Sequence, residues 1–240
     1  MYWDYYIMGI ILLPAILLAI YAQSKVSTTY ATFSKVLSQK GIKSQEIARL
    51  LLDCADLNNI TVTKVNGKLT DYYDHKNQVL ALSSSTYNSA SVAALGVAAH
   101  EVGHALQYKD GYLPIKLRSL IIPITRVSST ILWPMVVIGL MFNFAVYPGT
   151  TLGNIFLWIG IIFFGLAVVL DLITLPVEYN ASNRALALLS QTEILTEEET
   201  RGAKKVLSAA ALTYVAALLN SILNLLRFIL VILMNSKRDD

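Results

Sequence analysis

Four apolar stretches, each about as long as a bilayer is thick, constrain this chain more than any other feature. They run from about Trp3 to Tyr21, Leu120 to Tyr147, Leu152 to Pro176 and Val206 to Met234. About 20 apolar residues in helical form cross the hydrocarbon core of a membrane. Backbone polar groups at that depth are satisfied only inside a helix or a closed barrel. The sequence therefore predicts a mainly α-helical, multi-pass membrane protein with about four transmembrane helices. Composition agrees, because only 15% of the residues are charged, against about 25% in a soluble domain. The net charge of +3 is spread thinly, without the basic runs and interleaved aromatics of a nucleic-acid binder, so no nucleic-acid partner is expected. The single cysteine, Cys54, excludes an internal disulfide. Its place in the helical stretch IARLLLDCADL predicts a buried structural thiol.

The N-terminal stretch lacks a basic leader and a small-residue cleavage site, so it reads as a retained anchor. Pro148, Gly149, Thr150 and Thr151 form a turn between the second and third stretches, which predicts a tight transmembrane hairpin. Lys25, Lys35, Lys109, Lys116 and Arg118 lie near the two ends of the loop after the first stretch. Arg184, Arg201, Lys204 and Lys205 lie between the third and fourth. Excess Lys and Arg mark cytoplasmic loops, so both segments are expected on the cytoplasmic side of the cell membrane. Lys237 and Arg238 oppose this if the last stretch spans fully, and Arg227 within it makes a partly interfacial helix the alternative. The resulting division is an anchor at 1–24, a cytoplasmic helical and β region at 25–118, a transmembrane hairpin at 119–176, a cytoplasmic segment at 177–206 and a transmembrane or interfacial helix at 207–240.

Residues 26–58 read as mostly helical with a break near Gly41. Ser44 stands where an N-cap would, and Glu46 falls in the first turn, where negative charge is favourable. ITVTKV, Asn66-Gly67, KLTDYY and QVLAL follow. Asn-Gly between β-formers predicts a hairpin at 66–67 within a small sheet. A helix is expected from about Ser89 to Gln107.

That helix carries His100-Glu101-Val102-Gly103-His104. Histidines at i and i+4 share one helical face, so both can reach one tetrahedral zinc ion at about 2.0–2.1 Å. Glu101 stands beside them as the base that takes a proton from a zinc-activated water. Ala98, Ala99, Gly103 and Ala105 would let other helices come close. A catalytic zinc ion takes three protein ligands. His75, in Tyr73-Asp74-His75-Lys76-Asn77, reads as a solvated turn residue, so a carboxylate is the better third ligand. Glu178 leads: it follows Pro176, which can start a helix, and the hairpin returns the chain to the face it left. Glu193, Glu197, Glu198 and Glu199 are its rivals, although Thr196 and Glu199 are spaced as a capping box. Asp171 and Arg126 fall inside apolar stretches, where charges usually face a partner or a cavity. They are expected either to pair across the hairpin or to line the site.

These residues resemble the YugP-like neutral zinc metallopeptidases of bacterial membranes. The likeness rests on Asp74 to Ser83, Tyr87-Asn88, Ser91 to Ala94, and Ala98-Ala99-His100-Glu101-Val102-Gly103-His104-Ala105-Leu106-Gln107. A second block follows at Leu175-Pro176-Val177-Glu178, Ala181-Ser182 and Arg184-Ala185. The resemblance covers nearly the whole chain. It implies a multi-pass membrane protein with a glutamate as third zinc ligand, more distantly similar to prenyl-protein proteases. The chain departs from the pattern at Asn180, where the family usually has Asp, and at Tyr72, where it often has His. Related enzymes carry an acidic residue where Ser182 stands. Asn180 or Ser182 is then expected to accept the hydrogen bond that orients a zinc histidine, more weakly than a carboxylate.

The expected function is hydrolysis of peptide bonds by a membrane-embedded zinc metallopeptidase, with His100, His104 and Glu178 on Zn2+ and Glu101 catalytic. The expected partners are the lipid bilayer and a peptide or protein substrate, membrane proteins included. QVLAL would take an extended peptide by edge addition. The alternative is a catalytically inactive scaffold or chaperone-like adaptor on the same fold. The intact His, Glu and His favour the enzyme.

Overall fold

The computed structural model describes residues 9–142 and 151–236. Trp3 to Met8 of the first apolar stretch, Tyr147, the turn from Pro148 to Thr150, and Lys237 and Arg238 lie outside them. Six helices and three strands follow in order: α1 (Leu13–Phe33), α2 (Ser44–Cys54), β1 (Thr61–Val65), β2 (Tyr72–Asp74), β3 (Val79–Ser83), α3 (Val92–Lys109), α4 (Leu113–Leu140), α5 (Thr151–Gln191) and α6 (Glu197–Ser236). The chain is mainly helical with a small mixed sheet. Among the described residues α4, α5 and α6 are long and apolar enough to cross a membrane.

Two compact units form. The site unit comprises Tyr21–Lys116 and Leu175–Thr213. The helical unit comprises the described parts of Met1–Ile20, Leu117–Thr174 and Tyr214–Asp240.

The site unit has a conventional core. On α2, Ile47, Ala48, Leu51 and Leu52 recur at helical spacing and are fully buried, while Arg49 and Asp53 pair at 2.7 Å on the outer face. They pack with Leu80 and Leu82 of β3, Leu95 and Val102 of α3, and Leu189 of α5. Burying each such side chain contributes about 1.5–3 kcal/mol.

The sheet order is β1-β3-β2. β1 runs parallel to β3, with Thr61 opposite Val79, and β2 runs antiparallel, with Asp74 opposite Val79. This corrects the expected hairpin at Asn66-Gly67. Gly67 does take a positive φ of 118°, but it only opens a loop. β3 is the apolar strand, buried at four of its five positions. Giving β3 both neighbours buries more apolar surface than pairing the polar KLTD segment with β1. The hairpin instead joins β2 to β3 through the turn at 75–78. With both edges of β3 paired, QVLAL cannot receive a peptide by edge addition.

Three further local expectations change. Ser44 is not an N-cap: it is the first helical residue, and its Oγ donates to the Ser89 carbonyl at 2.8 Å. Cys54 is exposed at the end of α2 rather than buried. Pro176 does not start a helix but lies within α5. There its missing N–H leaves one helical carbonyl without its usual donor.

In the helical unit α4, α5 and α6 meet at Val136, Leu157 and Phe228. A Cβ at Gly160 would lie 2.9 Å from the Phe228 ring, so the missing side chain permits the close approach typical of helices in lipid. Elsewhere the apolar surface turns outward, as at Leu120, Trp133, Trp158 and Ile162. Asp171 lies by the Ser221 hydroxyl, and no ion pair joins it to Arg126 among the described residues.

Candidate metal centre

α3 begins where Ser91 Oγ accepts from the Ala94 N–H at 3.3 Å. It ends at Asp110, before Gly111 with φ 68°. Between these stops the helix is rich in buried alanine. One residue brings α5 against it: a Cβ on Gly103 would overlap the Ala181 carbonyl. The two backbones touch there, between His100 and His104, and Glu178 is carried to the histidines.

The donor atoms converge. One nitrogen from each of His100 and His104 and an oxygen of Glu178 all lie within 4.8 Å of one another. Glu178 Oε2 is 3.2 Å from His100 Nε2 and 3.6 Å from His104 Nε2. Ligands at 2.0–2.1 Å around a tetrahedral zinc ion sit roughly 3.3 Å apart, close to the two separations between Glu178 and the histidines. The side chains are 14%, 12% and 3% exposed, so Glu178 is the most enclosed of the three.

Each imidazole is held from behind. Ser182 Oγ lies 3.2 Å from His100 Nδ1, the role expected of Asn180 or Ser182. His104 Nδ1 lies 3.0 Å from Gln107 Oε1. Gln107 Nε2 donates to the Val177 carbonyl at 2.7 Å and to Asn180 Oδ1 at 3.0 Å. Because a carbonyl only accepts, the orientation of the Gln107 amide is fixed, and its Oε1 must accept from His104. The proton of neutral His104 therefore sits on Nδ1, and Nε2 turns its lone pair towards Glu178. Arg184 completes the relay, donating through Nε to Asn180 Oδ1 at 2.8 Å and pairing with Asp110. Asn180 thus reaches His104 through Gln107 rather than directly.

Glu101 is 7% exposed. Burial pushes its carboxyl above the ordinary range; the two histidines pull it back, and Glu178 and Asp71 push it further up. Burial lowers the pKa of His104, but the Glu178 hydrogen bond and the Glu101 and Glu178 charges outweigh it and raise it. The carboxylates of Glu101 and Glu178 thus place negative charge beside His104, which favours a cation there.

The rivals stay apart from this cluster. His75 sits in the β2–β3 turn, stacked on Tyr108 at 3.9 Å. Glu199 accepts from the backbone N–H groups of Gln39 at 2.7 Å and Thr196 at 2.8 Å, which is the expected capping box with an added contact. Two contributors went unread in the sequence. Gln107 lies three residues after His104, on the same helical face, and that spacing was the available signal. Asp71 had none: its Oδ1 accepts from the Ser83 N–H at 2.8 Å, while its buried Oδ2 has no partner among the described residues.

Two histidines and a carboxylate beside a buried glutamate, in a chain with three helices apolar enough to cross a bilayer, define a candidate membrane metalloprotein. Residues 8–233 match the family described as "Putative neutral zinc metallopeptidase", and the chain belongs to that family. It is 41% identical over 222 residues to the "Putative membrane protease YugP" of Bacillus subtilis (strain 168), over 92% of this chain and 94% of that protein. No solved structure matches it. The family implies Zn2+, and the donor set fits that ion in type and spacing.

Proposed function

We propose that this chain is a membrane-embedded zinc metallopeptidase that hydrolyses peptide bonds in a peptide or protein substrate. The observation that carries the reading is the convergence of His100, His104 and Glu178 beside the buried Glu101. His100-Glu101-Val102-Gly103-His104 is then the HExxH segment of a zincin-type helix, and Glu178 completes the ligand set. Ser182 and Gln107 hold the two rings. A bound zinc ion supplies Lewis acidity that acidifies water and polarises a carbonyl. Glu101 accepts the proton of the attacking water and returns it to the leaving amine. Burial makes its carboxylate a stronger base than an exposed one.

In this reading the chain is multi-pass, with the segment containing Trp3 to Tyr21 as a fourth span beside α4, α5 and α6. The site faces the cytoplasm, in line with the Lys and Arg distribution. The bilayer is a constant partner and nucleic acid is not one.

Metal analysis of the purified chain, beside a peptide-cleavage assay, tests the site. Wild type should hold about one zinc, as a single three-ligand site requires, and His100→Ala and His104→Ala should each lose it. Glu101→Gln should keep the metal and lose turnover by about 10²–10⁴-fold. Glu178→Gln should lose both metal and turnover, and Glu198→Gln neither. Unchanged zinc in both histidine variants sinks the reading, and zinc without turnover in wild type favours the scaffold alternative. Topology is tested separately by cysteines placed at Lys76 and Gln191 in a chain lacking Cys54. Labelling of either by an impermeant reagent on intact cells contradicts the cytoplasmic face.

A further inference from the structure

A groove of about 920 Å³ lies in the site unit between α1 and the first turns of α6. Its lining includes Lys25, Arg201, Lys204 and Lys205 and no acidic residue. Arg201 lies 3.8 Å from the exposed Glu197 carboxylate. Lys205 Nζ lies 5.9 Å from the centre of the Phe33 ring. Lys25, Lys204 and Lys205 make no ion pair among the described residues. Like charges converging on one groove repel each other unless an anion lies among them.

The hydroxyls divide into two sets. Thr28 and Thr32 donate to helix carbonyls at 2.8 Å and 2.9 Å. Thr29 and Ser208, also on the lining, make no side-chain hydrogen bond among the described residues, so their O–H groups remain available to an acceptor. The rest of the groove is apolar, with Tyr21 and Leu212 among its walls. In sequence both helices run on from the groove into apolar residues, Ile10 to Ile20 before it and Tyr214 to Leu219 after it. A free anion or an acidic peptide would use the ammonium groups and leave the apolar walls uncovered. An amphiphile with an anionic head uses both.

We propose that this groove binds an anionic phospholipid, with its phosphate among Lys25, Lys204 and Lys205 and its first methylenes against Tyr21 and Leu212. Anionic leaflets attract basic residues next to a span in the same way. The full chain, purified in neutral detergent, is mixed with phosphatidylglycerol and phosphatidylcholine, and native mass spectrometry counts the lipid retained. Wild type should retain phosphatidylglycerol over phosphatidylcholine. Lys25→Gln, Lys204→Gln and Lys205→Gln together should reduce that preference about tenfold or more, since each near-surface cation contributes a several-fold factor. Lys64→Gln with Lys76→Gln, exposed lysines elsewhere in the site unit, should leave it intact. Equal retention of the two lipids by wild type, or an unchanged preference in the triple variant, overturns the proposal. Displacement of the lipid by inorganic phosphate at matched concentration also overturns it and marks a free-anion site. The readout is lipid, not cleavage, so this inference and the peptidase reading fail independently.

Discussion

Both units carry many apolar side chains but use them in opposite ways. In the site unit Leu80, Leu82 and Val102 are wholly enclosed by protein. In the helical unit only 11% of the most apolar stretch of each long helix is buried, and Trp158 and Ile162 are 66% and 63% exposed. Hydrophobicity alone therefore does not say which residues hold a fold together. What differs is the medium the surface is built to meet. Water forces the site unit to close over its core, and the closure also fixes a polar relay around His104. An apolar medium removes that pressure, so the helical unit depends on close backbone approach at positions such as Gly160.

The largest test of this contrast compares two deletions of apolar bulk. Leu80→Ala, in the closed core, should cost about 2–5 kcal/mol in unfolding of the detergent-solubilised chain. Ile162→Ala, on the outer face of α5, should change it by less than about 0.5 kcal/mol. Comparable losses would mean that Ile162 packs against protein after all.

A smaller difference is expected between two added methyl groups. Gly103→Ala drives a Cβ into the Ala181 carbonyl and should cost about 1–3 kcal/mol, with loss of bound zinc. Gly165→Ala meets nothing within 4 Å, so both stability and zinc content should stay at the wild-type level. A Gly103→Ala chain that keeps its zinc would show that α3 and α5 can separate without disturbing the donors.

The smallest effect concerns polar contacts. Gln107→Leu removes the acceptor behind His104 and should lower zinc affinity ten- to a hundredfold in a chelator titration. Asp171→Asn alters a polar contact of the helical unit and should leave that affinity unchanged. A drop with Asp171→Asn would support the expectation that this residue lines the site.

How much of this was legible in the sequence depended on how local each feature is. The His100 and His104 pair needs only one helical repeat, so spacing revealed it. The long helices needed only length and apolarity. Glu178 was legible as one of several carboxylates, favoured by its place after the hairpin; what separates it from Glu199 is that Glu199 is already bound to the Gln39 and Thr196 backbone. The sheet order was not legible, because Asn66-Gly67 states a local turn preference while the apolarity of β3 decides the pairing. Gln107 was also hidden in part, since its role depends on Val177 and Asn180, which are 70 and 73 residues away. Cys54 is exposed because it lies beside the buried face of α2, which runs through Leu51, Leu52 and on to Ala55.

The meeting of Gly103 with the Ala181 carbonyl sets a mechanical tolerance. His100 and Glu178, 78 residues apart in the chain, are gauged against each other by two peptide backbones in direct touch. No side chain lies between the backbones at that point to act as a compressible shim. Side chains can change rotamer and soften with temperature, but a backbone seated on a backbone has one hard stop. The clearance between the halves of the donor set is thus fixed by atomic radii. Misalignment has only one easy direction, apart, so the centre should behave as a latch that is either seated or open.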